Sequence, residues 1–252
     1  MIESKTFYIM NVIILAGGEG KRMKSTIPKV LHLFHGIPMI VRIVNEAIKL
    51  SPTFIFIVVG KFRSQIQSIL EINFPRRHFL YIDQTVPLGT GHAVSQCLPY
   101  LPKDQSKILI LSGDIPALNS DILKPILENH NDNNIILTMK LQNPFGYGRI
   151  VKDKNNYVEK IVEEKDASEN EKKISQVNTG IYILQSNVLK KIVPQITNSN
   201  AQAEYYLTDV VELCSKNKIK IDSYLLDNSL VKHIQGVNTQ DELNNLEKLI
   251  KL

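Results

Sequence analysis

The 252-residue chain has no tryptophan, two cysteines (Cys97 and Cys214) and only twelve glycines. Two cysteines exclude a disulfide-stapled scaffold and a four-cysteine zinc site. No apolar run approaches the ~18 residues that a membrane-crossing helix needs. The opening residues Met1-Ile2-Glu3-Ser4-Lys5-Thr6 lack the basic, apolar and small-residue succession of a secretory leader. Internal repeats, low-complexity stretches and Gly/Ser-rich linkers are missing too. Together these absences predict a cytoplasmic protein built as one domain over residues 1–252, without a membrane partner. The formal charge of +5 is modest. Its basic residues are dispersed, without the Lys/Arg clustering and aromatic interleaving of a nucleic-acid binder, so no nucleic-acid partner is expected. What is present is an ordinary globular balance, 43% hydrophobic and 22% charged, which excludes a disordered or fibrous chain.

Strand-like and helix-like patterns alternate through the first half. Tyr8–Leu15 is a nearly continuous apolar run, as in a strand buried on both faces. Pro38 opens an amphipathic helix to Leu50, favoured by proline at a first helical position. A strand over Thr53–Val59, a helix over Ser64–Ile72 and a strand over Phe79–Ile82 follow. Next come a helix over Gly91–Leu101, a strand over Ile108–Leu111, a helix over Ser120–Asn129 and a strand over Asn134–Leu141. This order implies βαβ units and a mostly parallel sheet flanked by helices on both faces. The second half predicts a hairpin around Asp153-Lys154-Asn155-Asn156, a strand over Val177–Leu184 and a helix over Ser186–Ile192. A longer helix is expected over Glu204–Lys216, with short strands at Tyr224–Leu226 and Val231–Ile234. A last helix runs from Thr239, where Thr239 and Glu242 form a capping-box pattern. The expected architecture is α/β and Rossmann-like. A nucleotide-binding half spans about 8–141, a small β-rich elaboration about 142–238, and a terminal helix about 239–252.

Because glycine is scarcer than the average of about 7%, its placement is informative. The first expected strand runs into Leu15-Ala16-Gly17-Gly18-Glu19-Gly20-Lys21-Arg22-Met23, followed by Pro28-Lys29-Val30-Leu31. Glycines let backbone N–H groups approach phosphate oxygens, and Arg22 and Lys29 are suited to neutralising a triphosphate. The segment is neither a Walker A loop nor Gly-x-Gly-x-x-Gly, since Met23 fills the last position. Leu88-Gly89-Thr90-Gly91 lies between a strand and a helix, a place that suits an anionic or polar ligand. Ser112-Gly113-Asp114 puts a carboxylate at the carboxyl end of a buried strand, where open α/β sheets bind ligands. A carboxylate there can hold Mg²⁺ or serve as a turn or cap residue. His92 at a helix start reads as structural.

The Leu-Ala-Gly-Gly-x-Gly-x-Arg-Met and Pro-Lys-Val-Leu segments resemble the signature of sugar-1-phosphate nucleotidyltransferases. More narrowly, they resemble the uridyltransferase domain of bacterial N-acetylglucosamine-1-phosphate uridyltransferases. Further segments agree in the same order: Gln84-x-x-x-Leu-Gly-Thr-Gly-His-Ala93, Gly113-Asp114-x-Pro116, Gly146-Tyr-Gly-Arg-Ile150, Val162-Glu-Glu-Lys-Asp-Ala167 and Val177-Asn-Thr-Gly180. Asn200-Ala-Gln-Ala-Glu-Tyr-Tyr-Leu-Thr-Asp209 and Gly236-Val-Asn238 complete the set. The resemblance spans roughly residues 11–248. It implies the nucleotide-diphospho-sugar transferase fold and formation of UDP-N-acetylglucosamine and pyrophosphate from UTP and N-acetylglucosamine 1-phosphate. It assigns Leu15, Ala16, Gly17, Gly18, Gln84 and Gly89 to the nucleotide, with Gln84 offering a donor and an acceptor to uracil. Thr90, Gly148, Glu163 and Asn178 fall to the sugar, Arg22, Lys29 and Asp114 to catalysis, and Asp114 and Asn238 to Mg²⁺. The chain departs from the pattern at Lys21, Ser112 and Ala203, where the family commonly has Thr, Tyr and Gly. Ser112 removes a ring beside the metal aspartate, which bears on sugar and nucleotide discrimination. The bacterial enzymes continue into hexapeptide repeats carrying acetyltransferase activity. No such repeats occur in these 252 residues, so no acetyltransferase activity is expected. Another sugar 1-phosphate or nucleotide, a catalytically silent regulatory subunit, and a monomeric or dimeric state all stay open.

Overall fold

The computed structural model describes residues 10–129 and 133–251. Met1–Thr6, Tyr8 and Ile9 of the first expected strand, and Leu252 lie outside the described residues. The first half contains β1 (Met10–Leu15), β2 (Leu33–Phe34), β3 (Ile37–Pro38), α1 (Met39–Lys49), β4 (Ile55–Val59), α2 (Arg63–Asn73), β5 (Leu80–Asp83), α3 (Thr90–Ser95), β6 (Lys107–Ser112), α4 (Ser120–Asn129) and β7 (Asn134–Lys140). The second half adds β8 (Arg149–Lys152), β9 (Val158–Val162), β10 (Gln176–Gln185), α5 (Ser186–Ile192), α6 (Asp209–Lys216), β11 (Ile221–Leu225), the single turn α7 (Val231–Ile234) and α8 (Gln240–Leu249).

Among the described residues one nine-stranded sheet runs in the order β11-β7-β10-β6-β1-β4-β5, with β8 joined to β10 and β9. The pairs β6–β1, β1–β4, β4–β5 and β11–β7 are parallel. The continuous apolar runs follow from burial on both faces. Val12, Ile14, Ile55, Ile57, Leu109 and Leu111 pack with α1, α2 and α4. Their alternates Ile13, Phe56, Val58, Ile108 and Ile110 pack with α3, α5 and α6. Burying each such side chain contributes roughly 1.5–3 kcal/mol.

The exception to the parallel order is β10, antiparallel to both β6 and β7. A parallel return needs a crossover, usually helical. Here the chain after β7 forms the β8–β9 hairpin instead, and β10 comes back from it. A register shift between Asn178 and Tyr182 breaks β10 in two. Before it, Val177 pairs with Arg149 of β8; after it, the strand lies between β6 and β7. Such bulges bend a strand and re-aim its side chains.

Three expectations change, and one pair of strands is added. The helix expected from Glu204 begins only at Asp209. Ala203 takes a left-handed φ of 53°. The Asn200 side chain accepts from the N–H groups of Gln202 and Glu204, and Tyr205 donates its N–H to Leu88. Those bonds compete with a helix. Val231–Ile234 is a helical turn, not a strand. It continues a turn begun at Asp227, whose side chain accepts from Ser229 N–H. The helix expected over Gly91–Leu101 stops at Ser95, and a 3-10 turn containing Pro99 follows, since proline lacks the N–H to continue. The β2–β3 ribbon was not foreseen. His35 and Gly36 adopt φ of 48° and 74°, the left-handed pair of a tight hairpin. This ribbon and α8 enclose a third core of Met23, Phe34, Met39, Val237, Leu243 and Leu246, which fixes the segment carrying Asn238.

Candidate active site

The carboxyl ends of β1 and β6 are adjacent, because their strands pair in parallel with Leu15 opposite Ser112. The glycine-rich loop leaves β1 there and Asp114 leaves β6. Gly113 is tied to the loop by its N–H, which donates to the Leu15 carbonyl at 2.9 Å. Two 3-10 turns in the loop carry Arg22 and Lys29. A fourth segment arrives from the far end of the chain. Val237 N–H donates to the Asp114 carbonyl (2.9 Å). Asn238 N–H donates to Glu242 (2.6 Å), and Thr239 caps α8 by accepting from Glu242 N–H.

These segments bring two basic side chains onto two oxygen-bearing ones. Lys29 Nζ is ion-paired with Asp114 Oδ2 and donates to Asn238 Oδ1 at 2.8 Å. Arg22 donates to the same Asn238 oxygen at 2.9 Å. Asp114 and Asn238 thus present hard oxygens converging on one cation, the ammonium of Lys29. A divalent cation such as Mg²⁺, which takes one or two protein oxygens plus waters and phosphates, suits that donor set. Among the described residues no cluster of three His, Cys, Asp or Glu side chains offers a closed metal cage. The two-oxygen arrangement leaves positions for substrate oxygens.

From this centre a cleft of about 470 Å³ extends toward the carboxyl end of β5. Leu15, Gly17, Gly18, Arg22, Lys29, Gln84, Gly89, Thr90, Asp114 and Asn238 all line it, as does Ser112. Ala16 does not; it is 3% exposed, and its N–H donates to Val58. The side chain of Lys21, one of the departures noted above, lies outside the described residues. Glu204 lines the cleft and was not singled out from the sequence, where it was assigned to the start of a helix.

Gln84 differs from expectation. The resemblance implies both a donor and an acceptor for uracil, but the Gln84 NH₂ group is engaged by the Gly89 carbonyl (2.9 Å) and His92 Nδ1 (3.1 Å). Its carbonyl oxygen alone is left over. Gly89 and its neighbours are held by the Asn200–Asp209 segment. Tyr205 N–H donates to Leu88, Gly91 N–H to Tyr205, and Leu207 N–H to the Thr90 hydroxyl.

Gly148, Glu163 and Asn178 form a second cluster on β8–β10 and are not part of the cleft lining. Asn178 N–H donates to the Gly148 carbonyl at 2.8 Å. A side chain on Gly148 would meet Ile161 of β9 at 2.8 Å, so packing alone demands glycine there. The Asn178 amide donates to the Tyr182 hydroxyl (2.7 Å) and accepts from Gly180 N–H (3.2 Å). Glu163 accepts from the Thr208 hydroxyl at 3.0 Å, a partner the sequence did not reveal. Burial pushes the Glu163 carboxyl above its usual range, against the opposing effect of that hydrogen bond. Thr208 and Leu207 therefore connect this cluster to the Gly89–Thr90 wall of the cleft.

Asp209, next in the chain, has its pKa raised to about 6 by burial first and then by Glu212 and Asp166. A raised carboxyl pKa means the folded state holds its proton while the unfolded chain has released it. Stability is therefore lost as pH rises from about 4 to about 6. Asp209→Asn is expected to match the parent below pH 4 and to exceed it above pH 6. The gain is about 1 kcal/mol, discounted because the group is half-exposed, and urea unfolding across that pH range measures it.

Comparison with known proteins gives the same outline. A model described as Nucleotidyl transferase matches residues 11–229. The chain is 40% identical over 244 residues to a "Probable UDP-N-acetylglucosamine pyrophosphorylase" of Acanthamoeba polyphaga mimivirus, covering 95% of this chain and 96% of that one. It is 39% identical over 246 residues to the "Bifunctional protein GlmU" of Legionella pneumophila, covering 95% of this chain and 52% of the relative. The chain spans about half the length of that relative. Among solved structures, a UDP-glucose pyrophosphorylase complexed with UDP-glucose superposes with a TM-score of 0.76 at 18% identity, covering 96% of this chain and 98% of that one. A putative glucose-1-phosphate thymidylyltransferase from Bacillus anthracis does so with 0.72 at 21%, covering 96% and 97%. At those identities the likeness is one of fold. No helix among the described residues is long and apolar enough to cross a membrane.

Proposed function

The chain belongs to the nucleotidyl transferase family, and from that premise we propose that it joins UTP to N-acetylglucosamine 1-phosphate, releasing pyrophosphate. The observation that carries this reading is the meeting of Arg22, Lys29, Asp114 and Asn238 at the carboxyl ends of β1 and β6. In the reaction a phosphate oxygen of the sugar phosphate bonds to the α-phosphorus of UTP. The bond from that phosphorus to the pyrophosphate oxygen breaks, and pyrophosphate leaves. The nucleophile is already an anion, so no protein base is needed; the work is positioning and charge stabilisation.

Asp114 and Asn238 would hold Mg²⁺, which when bound supplies charge neutralisation and polarises a phosphoryl oxygen. Arg22 and Lys29 face the departing phosphates and stabilise their charge. The loop glycines Gly17 and Gly18 let the triphosphate approach the backbone, beside Leu15 and Ala16. Gln84 and Gly89 meet the uracil. Thr90, Gly148, Glu163 and Asn178 are assigned to the sugar, which fits the clustering of Gly148, Glu163 and Asn178 beside the β8–β9 hairpin and their link through Thr208 and Leu207 to Thr90.

A same-fold enzyme for another sugar 1-phosphate is the competing reading, favoured by Ser112, a small side chain that lines the cleft together with Asp114. Pyrophosphate release from pairs of UTP or dTTP with several sugar 1-phosphates tests both. Release from UTP with the N-acetylamino sugar, abolished by EDTA and restored by Mg²⁺, is the expected result. Release with glucose 1-phosphate alone would transfer the assignment to the competing reading. Release from no pair would leave a catalytically silent chain.

A further inference from the structure

Gln84 is 6% exposed, one of few buried polar side chains, and it lines the cleft. Its amide carries two N–H donors and one carbonyl acceptor. One N–H donates to the Gly89 carbonyl, an atom that can only accept, and this fixes which end of the amide is nitrogen. The other N–H faces His92 Nδ1 at 3.1 Å. That ring nitrogen must therefore be the accepting one, and the imidazole carries its proton on Nε2. The Nε2–H faces the side-chain amide of Gln96 3.2 Å away. The near atom is Gln96 Nε2, which also lies 3.4 Å from the His92 carbonyl and 3.1 Å from Ser95 Oγ. The two ends of an amide are alike in shape, and exchanging them sets the oxygen to accept from Nε2–H at the cost of that long contact to the carbonyl. The His92 ring also lies beside Tyr205, with centroids 6.2 Å apart. What remains of Gln84 is Oε1, which lies against Gly17: a Cβ built there would be 3.1 Å from it.

We infer that His92 is a positioning residue that locks Gln84 with its carbonyl toward the base, and so selects a nucleotide whose base presents an imide N–H. This rests on the reading of the cleft as a uridylyl-transfer site. An imide N–H donates to Oε1. Cytosine presents a ring lone pair at the equivalent position and meets Oε1 acceptor to acceptor. The glutamine could welcome cytosine only by turning over. It would then press its oxygen against the Gly89 carbonyl and against the lone pair of His92 Nδ1. His92 adds to the barrier set by the Gly89 carbonyl the cost of moving its own proton from Nε2 to Nδ1, and it does so without touching the nucleotide.

The test measures kcat and KM for UTP and CTP with N-acetylglucosamine 1-phosphate and Mg²⁺ in the parent, His92→Phe, His92→Asn and Gln84→Leu. Phenylalanine keeps the ring beside Tyr205 but cannot accept, whereas asparagine sets an oxygen where Nδ1 stood. His92→Phe is expected to lower the UTP over CTP preference in kcat/KM about tenfold, the worth of one hydrogen bond, with the loss in KM. His92→Asn is expected to restore most of the preference. Long-range ¹H–¹⁵N correlation on the unsubstituted protein should find the His92 proton on Nε2. An unchanged preference in folded His92→Phe overturns the inference, as does a proton on Nδ1, a readout that survives if the variant does not fold. If Gln84→Leu keeps the full preference, the base-reading end of the site is wrong and the inference falls with it. If Gln84→Leu loses the preference and His92→Phe keeps it, only the role of His92 is lost.

Discussion

Asp114→Ala is expected to lower the rate of pyrophosphate release by about 10³-fold or more, while changing the unfolding free energy by less than about 2 kcal/mol. The asymmetry follows from where Asp114 sits. It stands just beyond the end of β6, outside all three apolar cores, so its removal opens no core cavity. The backbone bond from Val237 to the Asp114 carbonyl survives the substitution, so the Asn238 segment stays docked. What is lost is the one carboxylate among the groups that meet at Lys29. The remaining amide of Asn238 is neutral and cannot hold a divalent cation on its own. Two highly charged substrates would then have to approach each other with only Arg22 and Lys29 to offset their repulsion. Initial rates at saturating substrates, with a urea melt of the same preparation, check both halves of the expectation. Turnover within tenfold of the parent in a folded variant would remove Asp114 from the catalytic machinery.

Gly89→Ala is expected to destabilise the protein by about 3 kcal/mol or more and to raise KM for UTP more than tenfold. Gly89 has φ 109° and ψ 174°, a region that side-chain-bearing residues scarcely enter. A Cβ there would lie 2.5 Å from the Tyr205 carbonyl oxygen and 2.9 Å from its nitrogen. Those are backbone atoms, which cannot swing aside. Relief would have to come from moving the Asn200–Asp209 segment, and with it the Thr90 and Glu163 hydrogen bonds. The carbonyl of Gly89 also anchors Gln84, so displacement reaches the base-facing wall. Gly18→Ala is the control: Gly18 lines the same cleft, and a Cβ there meets nothing within 4 Å. Urea unfolding of the two variants side by side decides the matter. Equal stability would mean that the contact between residues 88–91 and 200–209 does not constrain the site.

Much of this was legible in the sequence because the determinants are local. Alternation of apolar runs with amphipathic stretches gives the βαβ order, since a strand buried on both faces must be apolar throughout. Thr239 and Glu242 announced the start of α8, and both engage in its cap. The errors came where a distant partner outbid local preference. The run from Glu204 has helical character, yet Tyr205 gives its N–H to Leu88 in a segment more than a hundred positions earlier. No periodicity in either segment foretells that bond.

The site divides in the same way. The amino-acid sequence by itself determined the residue types: glycines after a buried strand, basic side chains just beyond them, a carboxylate at another strand end, and an ordered set of motifs that names the family. These are properties of the chain at short range. Only the tertiary structure decided that Asn238 shares a cation with Asp114, that Thr208 holds Glu163, and that both donors of Gln84 face inward. The physical reason is that each of these is a hydrogen bond between segments brought together by sheet order and core packing. Its energy depends on a distance of about 3 Å, and that distance is a product of the whole fold.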